Sequence, residues 1–219
     1  MMVDMADAAP VSDPAAQPGD GDTDHYQPGA RELQDRFDTR RLADRLDGMF
    51  RSTWTLDPVK AFIESMPMFF LATADRKGRP QCSYKGGAPG FVRVLGPMEL
   101  CFPSYDGNGM YLSLGNVLEN PHIGMLFIDF AKPNRVRVGG RATVTDDDAL
   151  LASYPGAELV ITVAVDEVFP NCPRYIHRLD LQETSVSVPD GDGVAPIADW
   201  KREPWACEVL AADDPARAR

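Results

Sequence analysis

One short segment of this 219-residue chain combines a hydroxyl, an ammonium group and two glycines, in residues 81–87. In a β-strand, residues two apart share a face, so Ser83 and Lys85 would lie on the same side, with Tyr84 between them. The ammonium can neutralise an anion while the hydroxyl donates a hydrogen bond, and Gly86 and Gly87 allow close approach to the backbone. The segment is therefore a candidate phosphate site, although an exposed lysine at a strand end is the more common explanation of this spacing.

A second candidate site begins in the polar loop at residues 104–109, which contains Ser104 and Asn108. An apolar stripe at helical spacing follows it, and this predicted helix contains Ser113 and Asn116. The unpaired N–H groups at a helix N-terminus favour an anion, so a phosphate could bind there. The spacing is not that of a P-loop, and Asn-Gly loops are more often plain turns.

A third candidate is the arginine-bearing face of the segment at residues 135–145. Val136 and Val138 alternate there with Arg135, Arg137 and Arg141, as expected for a half-buried strand. Arginines are common on solvated strand faces, yet three of them could form a local positive site in an acidic chain.

Other reaction chemistries have little support in the sequence. The histidines are His25, His122 and His177, and none has a companion at ligand spacing, so we predict no metal site. No GxSxG motif is present. Cys172 is either a structural thiol or a residue in contact with a ligand, and the absence of an adjacent base favours the first alternative.

Composition restricts the classes of partner. The 33 acidic and 22 basic residues give a net charge of −11, which argues against binding to nucleic acid. No apolar run approaches the roughly 20 residues of a membrane span, and the acidic N-terminal segment is unlike a signal peptide. We therefore expect a soluble, cytoplasmic protein with reduced cysteines and no membrane partner.

The pattern of apolar residues predicts the elements that would position these sites. Helices are expected from residue 31 to 50 and from Asp57, as N-cap, to Met66, with a third helix after the 104–109 loop. The six or so strands between them, mostly antiparallel, predict a mainly β fold with peripheral helices, in the form of a closed or split β-barrel. Residues 1–29 are predicted to be a disordered acidic tail and residues 30–181 the barrel domain. Residues 182–219 are predicted to be an extended C-terminal tail anchored by Trp200, Trp205 and the apolar residues 195–197.

Several long motifs resemble the flavin-nucleotide-binding split-barrel proteins related to pyridoxamine 5′-phosphate oxidase. They are FFLATAD at residue 69, GRPQCSYKGGAPGFVRVL at residue 78, FPSYDGNGMYLSLGNVLENPHIGMLFIDF at residue 102 and VFPNCPRYIH at residue 168. With weaker flanking similarity, the resemblance covers about residues 31–205.

The resemblance implies a six-stranded antiparallel split β-barrel that forms a homodimer and binds FMN between its subunits. The cofactor-binding residues carried over are Ser83, Tyr84, Lys85, Gly86, Gly87, Ser104 and Arg135, and Asn108, Ser113 and Asn116 are candidates to replace the family's phosphate-binding Arg-Lys pair, which this sequence lacks. Tyr84 and Cys172 are candidates to line the flavin, and no catalytic acid or base is assigned.

The function that the resemblance implies is an FMN-dependent oxidoreductase that moves a hydride between flavin and a small substrate, with the flavin supplying the redox chemistry. The basic residues with which the family's oxidase binds its substrate have no clear equivalents in this sequence, so pyridoxamine phosphate itself is not the expected substrate. The alternatives are a non-catalytic flavin-binding protein and a protein that binds deazaflavin or haem.

Overall fold

Seven antiparallel strands form one sheet in this computed structural model, which describes residues 25–51 and 55–217. The strands are β1 (Met68–Ala74), β2 (Pro80–Gly86), β3 (Arg93–Gly96), β4 (Glu99–Tyr105), β5 (His122–Asp129), β6 (Asn134–Thr145) and β7 (Ala157–Pro170). Their order across the sheet is β2-β1-β5-β6-β7-β4-β3. The predicted mainly β architecture with antiparallel strands is confirmed.

Short helices surround the sheet. They are α1 (Pro28–Arg36), α2 (Arg40–Leu46), α3 (Lys60–Ser65), α4 (Leu112–Glu119), α5 (Asp148–Leu151) and α6 (Pro204–Cys207). A π-helical turn at Asp47–Arg51 follows α2, and 3-10 turns occupy Asp57–Val59, Asp199–Arg202 and Pro215–Arg217. No helix in the described part of the chain is long and apolar enough to cross a bilayer.

The sheet is open and has seven strands, so the prediction of a six-stranded barrel was wrong in strand number and closure. Among the described residues, β2 and β3 are the two edges, and no ladder joins them. At β3 the side chains of α3 replace a neighbouring strand. The N–H of Val94 donates to Glu64 Oε1 at 3.0 Å, and Lys60 Nζ donates to the Val94 carbonyl at 3.2 Å. These bonds satisfy the β3 edge without closure.

Aromatic packing holds the curled sheet together from within. The Phe69 ring on β1 lies 5.0 Å from that of Phe102 on β4 and 5.2 Å from that of Phe127 on β5, and it stacks on Phe91 at 5.8 Å. All four rings are buried. Because β1 and β4 are four strands apart in the sheet order, contact between Phe69 and Phe102 requires the sheet to curl around this core.

The N-terminal helices differ from their prediction. Asp38 has φ +52°, in the left-handed region, and divides the predicted long helix into α1 and α2. No residue of α1 or α2 is buried, and apolar side chains such as Leu33 and Phe37 are exposed. Asp57 is not an N-cap either, because the chain enters α3 through a 3-10 turn without a side-chain cap. Within the predicted acidic tail, residues 1–24 lie outside the described residues.

The C-terminal segment is anchored by different residues from those predicted. Trp205 is largely exposed and Trp200 partly so, although their rings stack at 6.0 Å. The buried residues are Lys201 and Ala206. The segment forms the short turns given above, and Lys201 joins it to the loop after β4.

Candidate functional site

A cleft of about 330 Å³ lies between the edge strand β2, the end of β4 and the start of α4. Its lining residues are Ser83, Tyr84, Lys85, Ser104, Tyr105, Gly107, Asn108, Gly109, Met110, Tyr111, Leu112, Ser113 and Leu114. β2 and β4 are five positions apart in the sheet order, so the curl of the sheet brings these two strands to one cleft.

The β2 wall presents the residues predicted for it. Ser83 pairs in register with the buried Leu71, and Lys85 with the buried Phe69, so both lie on the core side of the strand. Tyr84 lies on the other face, where its ring packs edge-on against Phe70 at 6.2 Å between centroids. As an edge strand, β2 leaves part of its backbone hydrogen-bonding capacity without a strand partner.

The α4 wall runs antiparallel to β2 and is joined to it by side chains. The Ser83 and Ser113 hydroxyl oxygens are 2.7 Å apart, and Ser113 is buried. One turn later, Asn116 Nδ2 donates to Thr73 Oγ1 at 3.0 Å and to Gln81 Oε1 at 3.1 Å. These bonds fix the first turn of α4 against β2.

The N-terminus of α4 faces the cleft without a side-chain cap. The N-cap residue is Tyr111, which has φ +47° and whose side chain makes no capping bond. The first residues of the helix, from Leu112 to Leu114, line the cleft. Amide groups of a first helical turn have no intrahelical acceptor, so this end of α4 offers donors and positive partial charge to an anion.

Lys85 supplies the charge of the site. Its side chain is half-buried, and burial lowers the pKa of its ammonium below the ordinary value of 10.5. No carboxylate among the described residues forms an ion pair or hydrogen bond with it, whereas the nearby Asp106 is paired with Lys201 and Glu158 accepts from Tyr111. A desolvated cation without a counterion is stabilised by an anionic ligand.

The structure brings six of the ten predicted cofactor residues into this cleft, namely Ser83, Tyr84, Lys85, Ser104, Asn108 and Ser113. Gly86, Gly87, Asn116 and Arg135 are not in its lining. A Cβ on Gly87 would lie 2.5 Å from the Phe91 ring, so this glycine is needed for packing, and Asn116 is occupied in holding α4.

Arg135 lies three strands away from β2, at the start of β6. Its Nη2 donates to Asn171 Oδ1 at 2.8 Å, while its Nε is buried with no hydrogen-bond partner. Cys172, the other predicted flavin contact outside the cleft, is exposed, and hydrogen bonds from Arg174 lower the pKa of its thiol. Within one chain neither residue reaches the cleft lining.

A second cleft, of about 360 Å³, is formed at the β1–β2 turn by Asp75, Arg76, Lys77, Arg79 and Glu119. Asp75 is bonded there to the side chain of Arg79 and to the backbone N–H groups of Lys77 and Arg79. The C-terminal end of α4 borders it, and the carbonyl dipoles of a helix end disfavour an anion. The described residues include no cluster of three potential metal ligands.

Sequence reasoning missed several contributors to the cleft. Met110 and Tyr111 line it, and Lys201 holds the adjoining loop from nearly one hundred residues away. The glycines and tyrosines of residues 105–111 suggested a turn, but the left-handed backbone of Tyr111 had no sequence signal. The contact from Lys201 could be recognised only in three dimensions.

Comparison with known proteins gives one family match. A family model described as pyridoxamine 5′-phosphate oxidase matches residues 56–172. No curated protein sequence matches the chain significantly. Among solved structures, a candidate pyridoxamine 5′-phosphate oxidase from Lactobacillus delbrueckii is 24% identical with a TM-score of 0.45, and the match covers 55% of this chain and 98% of that one.

Two further solved structures are similar over a comparable region. HupZ from Group A Streptococcus is 16% identical with a TM-score of 0.42, and the match covers 57% of this chain and 98% of that one. HutZ, described as a haem storage protein from Vibrio cholerae, is 17% identical with a TM-score of 0.38, and the match covers 53% and 94% of the two chains.

The match to the family model includes all seven strands and every residue that lines the cleft. It spans just over half of the chain. The chain therefore belongs to the flavin-binding pyridoxamine 5′-phosphate oxidase-like family.

Proposed function

We propose that this protein binds FMN in the cleft between β2 and α4 and acts as an FMN-dependent oxidoreductase on a small substrate. The observation that carries this proposal is the half-buried ammonium of Lys85, which has no protein counterion in the described chain and lines the same cleft as the uncapped start of α4. A phosphate would supply the missing negative charge. The family membership supports a flavin as the bearer of that phosphate.

The lining residues have distinct roles in this proposal. Lys85 and the first amides of α4 bind the phosphate, and the Ser83–Ser113 hydroxyl pair has one O–H left to donate to it or to the ribityl chain. The exposed ring of Tyr84 and the apolar side chains of Met110 and Leu112 cover the planar ring system and exclude water. The bound flavin would supply hydride transfer, and the protein supplies orientation and electrostatics.

We further propose that the site is completed by a second copy of the chain. A cleft of about 330 Å³ is near the lower limit for ligand pockets, so a nucleotide-sized cofactor needs an additional wall. The apolar row Tyr84, Phe70 and Leu126 continues outward from the cleft in register across β2, β1 and β5, and none of its members is buried. A partner subunit would cover this row and could bring its own copy of Arg135 to the flavin.

The residue composition of the cleft lining favours a non-catalytic binder as the second candidate. None of the described residues that line the cleft is a histidine, cysteine, aspartate or glutamate. Among the usual proton-transfer groups, the lining offers Lys85 and three tyrosines but no histidine or carboxylate. A carrier of FMN or of a deazaflavin would need only the binding groups described above.

Both candidates are tested with the untagged, full-length protein as purified. Its visible spectrum and the mass of any molecule released on heating identify a bound flavin, deazaflavin or haem, and sedimentation velocity measures its oligomeric state. The proposal expects a flavin spectrum or saturable FMN binding, together with a dimer. Reduction of the bound flavin by NADH or NADPH supports the oxidoreductase, and tight binding without reduction supports the carrier. FMN fluorescence that is unchanged by excess protein would reject the site.

A further inference from the structure

Lys201 is the most deeply buried charged side chain among the described residues, and it contacts the loop that forms one wall of the cleft. The whole residue is 5% exposed. Its Nζ donates to Asp106 Oδ1 and Oδ2 at 2.8 and 2.7 Å and to Asp214 Oδ2 at 2.9 Å. Burial acts to lower the pKa of Lys201, but the hydrogen bonds that its ammonium donates to the two carboxylates outweigh it and raise the pKa.

The loop at residues 106–110 has no regular secondary structure and few restraints of its own. It contains Gly107 and Gly109, and its internal bond is from the Met110 N–H to Asn108 Oδ1. In the described chain, side-chain hydrogen bonds tie the loop and its junction with α4 to the rest of the molecule at two points. Lys201 donates to both carboxylate oxygens of Asp106 at its start, and the Tyr111 hydroxyl donates to Glu158 Oε2 at its end.

Asp106 does not line the cleft, but its neighbours Tyr105, Gly107 and Asn108 do. A restraint on Asp106 therefore acts on the cleft without touching a ligand. A glycine-containing loop that loses one of its two attachments can adopt more backbone conformations. Only a fraction of these conformations keep the cleft lining in the shape described above.

We infer that Lys201 is a positioning residue for the cofactor cleft, and that the segment at residues 199–214 is a functional part of this site. The segment holds the 106–110 loop in its binding-competent shape through the Lys201–Asp106 ion pair. This inference rests on the proposed function, because it concerns the affinity of the same cleft for FMN.

Asp106→Asn tests the inference because the two explanations predict opposite signs. Removing a negative charge close to an anion site strengthens FMN binding by electrostatics alone. Loss of the ion pair, which leaves at most one neutral hydrogen bond from Lys201 to the amide oxygen, instead weakens binding, by roughly tenfold if about a tenth of the loop population stays competent. Asp214→Asn is the matched control, since it removes the other carboxylate of Lys201 and leaves the Asp106 contact.

Two measurements are made on each full-length variant. FMN affinity is measured by fluorescence titration, and hydrogen exchange of backbone amides is followed for residues 106–111 without ligand. We expect Asp106→Asn to show weaker binding and faster exchange confined to this loop, and Asp214→Asn to show neither. Unchanged or tighter binding by Asp106→Asn, an equal loss in both variants, or unchanged exchange in the loop would overturn the inference. Failure of the wild type to bind FMN would overturn the proposed function instead, and the exchange rates would still decide whether Lys201 holds the loop.

Discussion

Replacement of Lys85 by methionine is the most direct way to distinguish a role of this residue in FMN binding from a role in folding. The substitution keeps an unbranched side chain of similar length and removes only the ammonium. A hydrogen bond to a charged group contributes about 1.5–3 kcal/mol. The dissociation constant for FMN should therefore rise by roughly 10- to 150-fold. The difference in FMN affinity between the wild type and Lys85→Met should shrink as the salt concentration rises, because ions screen the attraction between Lys85 and the phosphate.

The same substitution should not destabilise the ligand-free protein. Lys85 makes no ion pair or hydrogen bond in the described chain, and burial lowers its pKa. A lysine whose pKa is lower in the folded state opposes folding while it is charged, and this opposition disappears as the pH rises to the unfolded pKa of 10.5. At pH 7 the melting temperature of Lys85→Met should equal or exceed that of the wild type, and the difference should close toward pH 10.5.

The assay combines FMN titration by fluorescence quenching with thermal unfolding of the ligand-free protein. Lys77→Met, which removes an equal charge from the β1–β2 turn, is the matched control and should leave FMN affinity within about twofold. The reasoning is refuted if Lys85→Met unfolds at a lower temperature and binds FMN as the wild type does. That outcome would make Lys85 a structural residue. Equal losses of affinity in the two variants would mean that overall charge, and not this ammonium, attracts FMN.

Three further substitutions or reactions test other parts of the structure. Gly87→Ala places a Cβ 2.5 Å from the Phe91 ring, so it should lower the free energy of unfolding by about 1–3 kcal/mol in denaturant titrations. Ser113→Ala removes one of the two paired hydroxyls, and FMN affinity measured by titration should fall about fivefold, corresponding to about 1 kcal/mol. Iodoacetamide, followed by peptide mass spectrometry, should modify Cys172 at pH 7 well before Cys101. The Cys172 pKa is lowered by hydrogen bonds from its neighbouring arginine, whereas Cys101 is buried and its pKa is raised by burial. Faster modification of Cys101 would contradict this account.

The local periodicity of the sequence predicted individual strands well. The segment at residues 135–145 was predicted as a half-buried strand and lies in β6, and its valines at positions 136 and 138 are buried as their alternation with arginines required. Side-chain direction in a strand depends on the nearest neighbours in the chain, so a pattern of period two carries it. Whether the sheet closes depends instead on which elements contact each of its edge strands. No sequence pattern of this kind predicted the contacts that Glu64 and Lys60 make with Val94 at the edge of β3.

The candidate site also combines residues that the sequence predicted with contacts that it did not predict. Ser83, Lys85 and the start of a helix near Ser113 were recognised from residue type and spacing, because hydroxyls, amines and helix ends carry their chemistry wherever they lie. The 2.7 Å contact between Ser83 and Ser113 was not predicted, and Asn116 was assigned to the ligand although it joins α4 to β1 and β2. An amide can serve either purpose, and only the neighbouring side chains decide which.

By itself the sequence determined the mainly β class, the family and the groups available to bind an anion, since these follow from local pattern and chemical type. Only the tertiary structure decided that β2 and β4 face each other across one cleft, and that Lys85 has no counterion in the described chain while Lys201 has two. Pairing of charges depends on distances between residues that are far apart in sequence. Those distances are set by the curl of the sheet around its aromatic core, which is a property of the whole chain.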